Sequence, residues 1–380
     1  MLRLLMLAVA TAVLINSACS PAPDEPIPSP TSKPSPLPTP TKSSPPPTPT
    51  ATASVETVGI TLPPGFQIEV LIDNLRNPTS MAFGPDGRLY ISQLNGDILV
   101  ARDIDGDGLP NRIEPFASGF NAPLGLAFLG DDLYVSSKGR VTIVGDADGD
   151  GRGDSFNQII TGLPNGAHQN NGLAFGPDGK LYLTLGSTCN ACIEGDPRSA
   201  TIMRYDPDGS NEEIFARGLR NVYDIAFHPQ DGTLFGMENG RDDKGLDVPE
   251  DLDVIVQGGN YGWPDCWGKE RGSNCQGTIP PIAELESRSS ANGLLFYTGG
   301  QFPSEYKGDL FIALYGAHSG ETGRKIVRVK LTPRGNTYEA EVIDFATGMN
   351  RPLDLVLAPD GSLLVADFSE GVIFRVVWRG

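Results

Sequence analysis

Positive charge, histidine and long apolar segments are all scarce in this chain of 380 residues. Its 29 Lys and Arg residues are outnumbered by 47 Asp and Glu residues, which gives a formal net charge of −18. A surface this acidic does not attract a phosphate backbone, so the composition argues against nucleic-acid binding. Beyond the N-terminus, no apolar run approaches the roughly 20 residues that a membrane-spanning helix needs.

The few histidines and cysteines, three and five in number, restrict the metal and redox centres that the chain could build. Cys189 and Cys192 lack the histidines that a zinc site would need, and Ile193 stands where a haem-attachment motif requires His. This pair is therefore either a tight disulfide or two free thiols. Cys266 and Cys275, which turn residues flank, are expected to form a disulfide in an oxidising compartment.

Glycine and proline are abundant, at 46 and 33 residues, and both disfavour long helices. A short motif of a small or acidic residue, two apolar residues and usually Phe recurs about every 45 to 70 residues. Each copy opens a group of about four short strands, which is typical of propeller blades. The six copies begin at Ser80, Gly125, Gly172, Asp224, Gly293 and Asp354.

The repeats predict an all-β fold, namely a six-bladed β-propeller of four-stranded blades. The last repeat, residues 352–378, has only three strands, whereas residues 66–75 resemble the fourth strand of a blade. We therefore expect the N-terminal strand to complete the last blade and close the ring. In this fold the blade-to-blade junctions and the loops between second and third strands share one face of the disc, here called the junction face. The other turns form the far face.

The N-terminal region has the composition of an export signal and a tether. Residues 1–19 are predicted to be a signal peptide, and their last four residues, Asn-Ser-Ala-Cys, resemble a bacterial lipobox. A lipid on Cys19 would anchor an extracytoplasmic protein to the cell membrane, and plain secretion is the alternative. Residues 20–58, rich in Pro, Ser and Thr, are predicted to be a disordered linker, and residues 59–380 the propeller.

Two Asp-rich loops, each between a third and a fourth strand, have the ligand spacing of an EF-hand. Calcium takes six or more oxygen ligands, and clustered carboxylates repel one another unless a cation lies among them. We predict structural calcium sites on the far face, with surface Asp-Gly turns as the alternative. The predicted ligands are Asp103, Asp105, Asp107, Asn111 and Glu114 in the first loop, and Asp146, Asp148, Asp150 and Asp154 in the second.

The junction face carries the candidate active-site residues. His168 lies in the junction before the third repeat, where it is either a general base or a hydrogen-bonding loop residue. Several arginines in this acidic chain lie on the same rim, which would suit an anionic ligand. Alternatively, each arginine ties neighbouring blades together through backbone carbonyls. These arginines are Arg76, Arg220, Arg288 and Arg351.

Several stretches of the junction face are similar to one enzyme family. They are His168-Gln169, Gly218-Leu219-Arg220-Asn221, the Gly-Gly-Asn-Tyr-Gly-Trp-Pro run of residues 258–264, Gly-Gln-Phe-Pro of residues 300–303 and Asn350-Arg351-Pro352. With them, residues 62–378 resemble the PQQ-dependent soluble glucose and sorbosone dehydrogenases, which are six-bladed propellers. The last two stretches look like the sorbosone branch.

The resemblance implies oxidation of a sugar or related polyol with PQQ, a planar quinone that bears three carboxylates, and Ca²⁺. His168 would accept the proton of the substrate hydroxyl while hydride passes to the quinone, which Arg220 would polarise. No haem motif is present, so electrons would leave to an external acceptor. The resemblance implies cofactor contacts by Asn121, Gln169, Arg220, Asn221, Arg288 and Arg351, a calcium beside the quinone held by the carbonyls of Gly240 and Arg241, and a structural calcium at Asp251 and the Tyr261 carbonyl.

Two other functions stay open on the sequence alone. Calcium-dependent lactonases also use six-bladed propellers, but they need a cluster of carboxylates in the channel, whereas this rim is rich in Arg. The other possibility is a binding propeller without the cofactor. The glucose branch has Asp immediately before its catalytic His, and this chain has Ala167 there.

Overall fold

The computed structural model describes residues 59–103, 110, 112–317 and 322–380. Six antiparallel sheets of four principal strands follow one another along the chain and form a six-bladed β-propeller. The first strands of successive blades contact one another around the whole ring, and the last blade contacts the first. The prediction of fold class from the repeats is therefore confirmed. Cys19, the signal peptide and the linker lie outside the described residues, so those assignments stay predictions.

Each blade is a meander in which consecutive strands pair, with the exceptions of the N-terminal strand and an insertion in blade 4. Two short 3₁₀ helices, Gly245–Asp247 and Ser304–Tyr306, lie in loops. In chain order the strands are β1 (Phe66–Ile72); β2 (Pro78–Phe83), β3 (Leu89–Gln93), β4 (Ile98–Arg102) and β5 (Arg112–Ala117) of blade 1; β6 (Gly125–Leu129), β7 (Asp132–Ser137), β8 (Arg140–Gly145) and β9 (Ser155–Thr161) of blade 2; β10 (Asn170–Phe175), β11 (Leu181–Leu185), β12 (Thr201–Tyr205) and β13 (Glu213–Arg217) of blade 3; β14 (Val222–Phe227), β15 (Leu234–Glu238), β16 (Glu250–Ile255), the insertion strands β17 (Gly259–Asn260), β18 (Cys266–Trp267) and β19 (Arg271–Gly272), and β20 (Ala283–Leu285) of blade 4; β21 (Ala291–Phe296), β22 (Leu310–Leu314), β23 (Lys325–Arg334) and β24 (Thr337–Thr347) of blade 5; and β25 (Pro352–Leu357), β26 (Leu363–Asp367) and β27 (Val372–Trp378) of blade 6.

The N-terminal strand closes the ring, as the sequence predicts. β1 pairs antiparallel with β27, so that Phe66 lies opposite Trp378 and Glu69 opposite Arg375. The Phe66 ring is buried edge-on against three aromatic rings of blade 5, with centroids 4.8 to 5.1 Å away. Burial of such a side chain contributes about 1.5–3 kcal/mol. The first and last parts of the propeller are thus held together by both backbone pairing and apolar packing.

The repeated Phe and Tyr of the sequence motif pack one blade on the next. A Tyr of the second strand contacts the Phe at or next to the end of the first strand of the following blade, and the ring planes are steeply inclined to one another. The pairs are Tyr90 with Phe128, Tyr134 with Phe175 and Tyr182 with Phe227, with ring centroids 4.9, 4.9 and 5.1 Å apart. The repeated motif thus supplies the same contact at three successive blade junctions.

Blade 4 carries an insertion between its third and fourth strands. It contains the 258–264 run, and its β17 pairs parallel with β13 of blade 3. The Trp263 indole N–H donates to the carbonyl of Asn190, 3.3 Å away, so the insertion reaches the junction-face loops. Cys266 and Cys275 form a disulfide here, which confirms the prediction. In the described part of the chain, no helix is long and apolar enough to cross a membrane.

Candidate active site

A cavity of about 380 Å³ opens at the mouth of the central channel on the junction face. Residues from all six blades line it, including His168, Lys138 and the aromatic side chains of Tyr223, Tyr315 and Phe368. Among the described residues of this lining there is no Asp or Glu, although the chain carries 18 excess negative charges. The cavity is therefore chemically unlike the rest of the surface and is suited to an anionic or neutral ligand.

Ser187 and Thr188, which follow β11 of blade 3, hold His168 in the cavity wall. Its backbone N–H donates to the Ser187 carbonyl over 3.2 Å, and the neighbouring Ala167 N–H donates to the Thr188 carbonyl over 2.8 Å. The imidazole Nδ1 lies 3.0 Å from the Ser187 carbonyl oxygen and 2.9 Å from Ser187 Oγ. Ser187 therefore orients the ring in this chain, where Ala167 has no side chain that could do so.

Burial lowers the pKa of His168 to about 4, and the positive charge of Arg220 acts in the same direction. A hydrogen bond with the Ser187 backbone opposes this shift only in part. The imidazole is consequently neutral at physiological pH, which is the form that can accept a proton.

The close packing behind His168 depends on a glycine. A Cβ on Gly186 would lie 2.5 Å from the Cβ of His168 and 2.7 Å from Oδ1 of Asn221. Asn221, which also lines the cavity, accepts a hydrogen bond from the Asn171 side chain over 2.8 Å. Gly186 thus lets two predicted site residues approach the same backbone segment.

Arg220 is buried beside the site rather than in its lining. Its guanidinium donates to the carbonyl and side-chain oxygens of Asn190, to the carbonyl of Asn239 and to the carboxylate of Asp242, over 2.8 to 3.0 Å. Its backbone N–H donates to Glu238. Arg220 therefore acts on the cavity through its charge and through the loops that it holds.

The other junction arginines also bind protein groups. Arg351 donates to the carbonyls of Gly316 and Ala317, each 2.7 Å away, and Arg288 donates to the carbonyl of Asp242 over 3.0 Å. These arginines, like Arg76, do not belong to the cavity lining. Arg288 and Arg351 therefore make the contacts that we expected if the junction arginines tie neighbouring blades together through backbone carbonyls and do not bind a ligand.

Lys138 supplies the positive charge that the cavity lining does carry. It lies in the turn between β7 and β8 and is half-buried, and its backbone N–H donates to the carbonyl of Asn121. In the part of the chain that the structure describes, no carboxylate pairs with its ammonium group. Gln169 also lines the cavity, whereas Asn121 is exposed and does not. The position of Lys138 in a second-to-third-strand loop was a signal that the sequence reasoning did not use.

The predicted structural calcium site contains a buried carboxylate that is incompletely bonded. Asp251 Oδ2 accepts a hydrogen bond from Gly268 N, while Oδ1 is buried without a partner among the described residues. β15 and β16 place Glu238 directly opposite Asp251, and burial raises the pKa of both carboxyl groups. A cation at Asp251 would satisfy the free oxygen, so this residue fits its predicted role as a calcium ligand.

The residues predicted to hold a calcium beside the quinone lie next to this acidic region. Gly240 N–H donates to Glu250, and the Arg241 side chain binds Asp243 and the carbonyl of Pro264. Neither residue belongs to the cavity lining. Gly240 and Arg241 are connected to the cavity through the adjacent Asn239, whose N–H donates to the carbonyl of Asn221.

The two Asp-rich loops lie at the β4–β5 and β8–β9 turns, as expected for the far face. In the second loop, Asp146, Asp148 and Asp150 each bring one carboxylate oxygen to within 4.8 Å of the others. Asp154 instead accepts a hydrogen bond from Ala147 N. In the first loop, Asp105, Asp107 and Asn111 lie outside the described residues, and Glu114 forms ion pairs with Arg102 and Arg112.

Comparison with known proteins places this architecture in a family. A family model described as a domain of unknown function, DUF7133, matches residues 53–379. The chain belongs to the DUF7133 family. It is 26% identical over 361 residues to the aldose sugar dehydrogenase YliI of Escherichia coli, covering 83% of this chain and 93% of that protein. It is 25% identical over 261 residues to quinoprotein glucose dehydrogenase B of Acinetobacter calcoaceticus, covering 53% of each.

Solved structures share the fold of this DUF7133 chain at low sequence identity. The holo PQQ domain of pyranose dehydrogenase from Coprinopsis cinerea aligns with a TM-score of 0.73 at 17% identity, over 84% of this chain and 97% of that one. The PQQ-bound aldose sugar dehydrogenase of Streptomyces coelicolor aligns with a TM-score of 0.62 at 22% identity, over 83% and 99%. Distant relatives and structural neighbours of the chain are thus PQQ-dependent glucose and aldose sugar dehydrogenases.

Proposed function

We propose that this DUF7133 chain oxidises an aldose, a sorbosone-like sugar or a related polyol at the cavity of His168, with PQQ and Ca²⁺ as cofactors. The observation that carries the proposal is the wall of this cavity, where a neutral imidazole and an unpaired Lys138 occur without any carboxylate among the described residues. The sugar dehydrogenases among the distant relatives support the same substrate class.

The residues of the cavity fit PQQ. Its three carboxylates need positive charge or N–H donors, which Lys138 and the side-chain amides of Gln169 and Asn221 can provide. Its planar ring system needs an apolar surface to pack on, which the aromatic ring of Tyr315 or of Phe368 can provide at the cavity. When bound, PQQ supplies the oxidant, because a quinone takes up the hydride that leaves the substrate carbon.

His168 would accept the proton that the substrate hydroxyl loses. Its low pKa keeps the ring unprotonated before substrate binds. A ligand with several carboxylates would favour the imidazolium form and raise this pKa toward its ordinary range, which makes the ring a stronger base in the loaded enzyme. Arg220, held next to the site by Asn190, would add positive charge where negative charge develops.

Calcium would have two roles. At Asp251 and the Tyr261 carbonyl it would satisfy a buried oxygen that the protein leaves unbonded. The carbonyls of Gly240 and Arg241 would hold a second ion beside the cofactor. The loop with Asp146, Asp148 and Asp150 would hold a further structural ion on the far face, since the three carboxylates converge there.

The proposal includes the location of the protein. The predicted signal peptide and the lipid on Cys19 would place the propeller outside the cytoplasm and attach it to the membrane. The disulfides Cys189–Cys192 and Cys266–Cys275 are consistent with an oxidising compartment. An external electron acceptor would then reoxidise the cofactor.

The test is reconstitution of the mature chain with PQQ and CaCl₂, followed by quinone absorbance and dye reduction across a panel of aldoses. We expect stoichiometric binding and sugar-dependent bleaching. The variant His168→Gln should bind PQQ but reduce no dye, and Lys138→Ala should weaken PQQ binding about 10- to 100-fold, since a charge-assisted contact is worth about 1.5–3 kcal/mol. Lys307→Ala, an exposed lysine on the far face, is the matched control.

Each other outcome points to a different function. Full dye reduction by His168→Gln would exclude the proposed base. Calcium-dependent hydrolysis of lactones without PQQ would favour the hydrolase, although the cavity lining lacks the carboxylates that such a site needs. Absence of PQQ binding at micromolar concentration would favour a binding propeller.

A further inference from the structure

One short turn after β11, residues 187–192, contacts both His168 and Arg220. Its first residue, Ser187, lies against the imidazole Nδ1 and donates its own backbone N–H to the carbonyl of Arg220 over 2.7 Å. Asn190, at the tip, accepts two hydrogen bonds from the Arg220 guanidinium. The disulfide Cys189–Cys192 closes this turn around Asn190.

The hydrogen bonds of Ser187 determine which imidazole nitrogen carries the proton. The Ser187 hydroxyl has a single proton, and it donates that proton to the carbonyl of Cys189 over 2.7 Å. Towards Nδ1 of His168, Oγ therefore presents lone pairs, and the Ser187 carbonyl oxygen can only accept. Two acceptors around one nitrogen require that nitrogen to be the donor.

The second imidazole nitrogen is left free. Nε2 has no hydrogen bond within the described part of the chain, and His168 lines the cavity. With the proton on Nδ1, the lone pair of neutral His168 is on Nε2. This is the arrangement that a general base needs, since one ring nitrogen is anchored and the other can receive a proton.

We propose that Ser187 is a positioning residue that fixes His168 in the Nδ1–H tautomer, and that the disulfide-closed turn behind it holds Ser187 and Arg220 in one arrangement. This inference rests on the proposed function, because the free Nε2 matters only if His168 accepts a proton. In the proton transfer, the substrate hydroxyl proton moves to Nε2, the Nδ1 proton stays in place, and the imidazolium later releases one proton to solvent.

The tautomer can be measured without PQQ and without activity. The chain has three histidines, so ¹⁵N-histidine labelling yields three sets of imidazole signals, and His168→Gln identifies those of His168. We expect a protonated Nδ1 and an unprotonated Nε2 in the wild-type protein at neutral pH. An Nε2–H tautomer as the major form of His168 in the wild type would overturn the proposal, even if no Ser187 variant folds.

Variants separate positioning from a general structural role. Ser187→Ala removes one of the two acceptors at Nδ1 and should raise the ratio of the Nε2–H to the Nδ1–H tautomer about three- to tenfold. The value of kcat/KM should fall in proportion to the measured loss of the Nδ1–H form, and the PQQ affinity should stay unchanged. Ser187→Thr keeps the hydroxyl and should retain the wild-type tautomer. Ser199→Ala is the matched control, because Ser199 is a buried serine of the same blade whose hydroxyl has no partner among the described residues.

The two failures can be told apart. An unchanged tautomer ratio in Ser187→Ala would refute the positioning role whatever the activity. A protein that shows the expected tautomers but binds no PQQ would refute the proposed oxidation, while the assignment of the proton on His168 would stand.

Discussion

Replacing Gly186 with alanine should strongly reduce catalysis in a protein that still folds. The new Cβ would lie 2.5 Å from the Cβ of His168, whereas ordinary carbon contacts begin at about 3.5 Å. His168 must therefore move by about 1 Å, and a displacement of that size from the productive geometry reduces rates about 100-fold. The accompanying overpacking should lower the free energy of unfolding by only about 1–3 kcal/mol.

The assay compares kcat/KM for dye reduction, PQQ affinity and the melting temperature of the reconstituted enzyme. Gly195→Ala is the matched control, since a Cβ at Gly195 would meet no atom within 4 Å and its backbone is not in the left-handed region. It should leave all three quantities unchanged. A Gly186→Ala enzyme with wild-type kcat/KM would refute the argument that close packing behind His168 sets the position of the base.

Three further predictions concern closure of the ring, buried charge and calcium. Phe66→Ala should lower the free energy of unfolding by about 3–5 kcal/mol in denaturant titrations, because the Phe66 ring is buried against the aromatic rings of blade 5; a loss below 1 kcal/mol would contradict a main role of this packing in closing the ring. Burial raises the pKa of Asp224 to about 6, and the charge of Asp224 in turn raises the pKa of the buried Asp354. The stability contributed by protonated Asp224 is present below pH 4 and is lost as the pH rises through 6, so Asp224→Asn should gain up to about 3 kcal/mol over wild type at pH 7 and little at pH 4. An equal difference at both pH values would contradict this assignment. Chelation of calcium should lower the melting temperature of the wild-type protein more than that of Asp251→Asn, measured by calorimetry; identical shifts would remove Asp251 from the calcium ligands.

The cavity also explains how an acidic protein could bind an anion. The carboxyl groups that the structure describes lie outside the lining of the channel mouth, for example in the far-face loops and in the buried acidic region of Glu238 and Asp251, while this lining is neutral apart from Lys138. Local potential, and not net charge, decides which ligand can enter a recessed site. Measurement of PQQ affinity as a function of ionic strength would report on this local field.

Much of the fold was predictable because its determinants are local and repeated. The Phe and Tyr of the motif recur because they pack successive blades together in the same way, as Tyr90 and Phe128, Tyr134 and Phe175, and Tyr182 and Phe227 do. Counting the repeats indicated six blades, and the missing strand of the last blade indicated that residues 66–75 would pair with it. The Cys266–Cys275 disulfide was likewise predictable from nearby sequence.

Only the tertiary structure decided how the site is built. Ser187 and His168 are separated along the chain and meet because the end of β11 returns beside the junction before β10. Arg220 and Arg351 could each have faced a ligand, but Arg220 donates to Asn190, Asn239 and Asp242, and Nη1 of Arg351 donates to two backbone carbonyls. A side chain on a junction can turn to the channel or to the protein, and the sequence does not distinguish the two directions. The blade pattern depends on local periodicity, whereas the site depends on which polar groups from distant loops find each other.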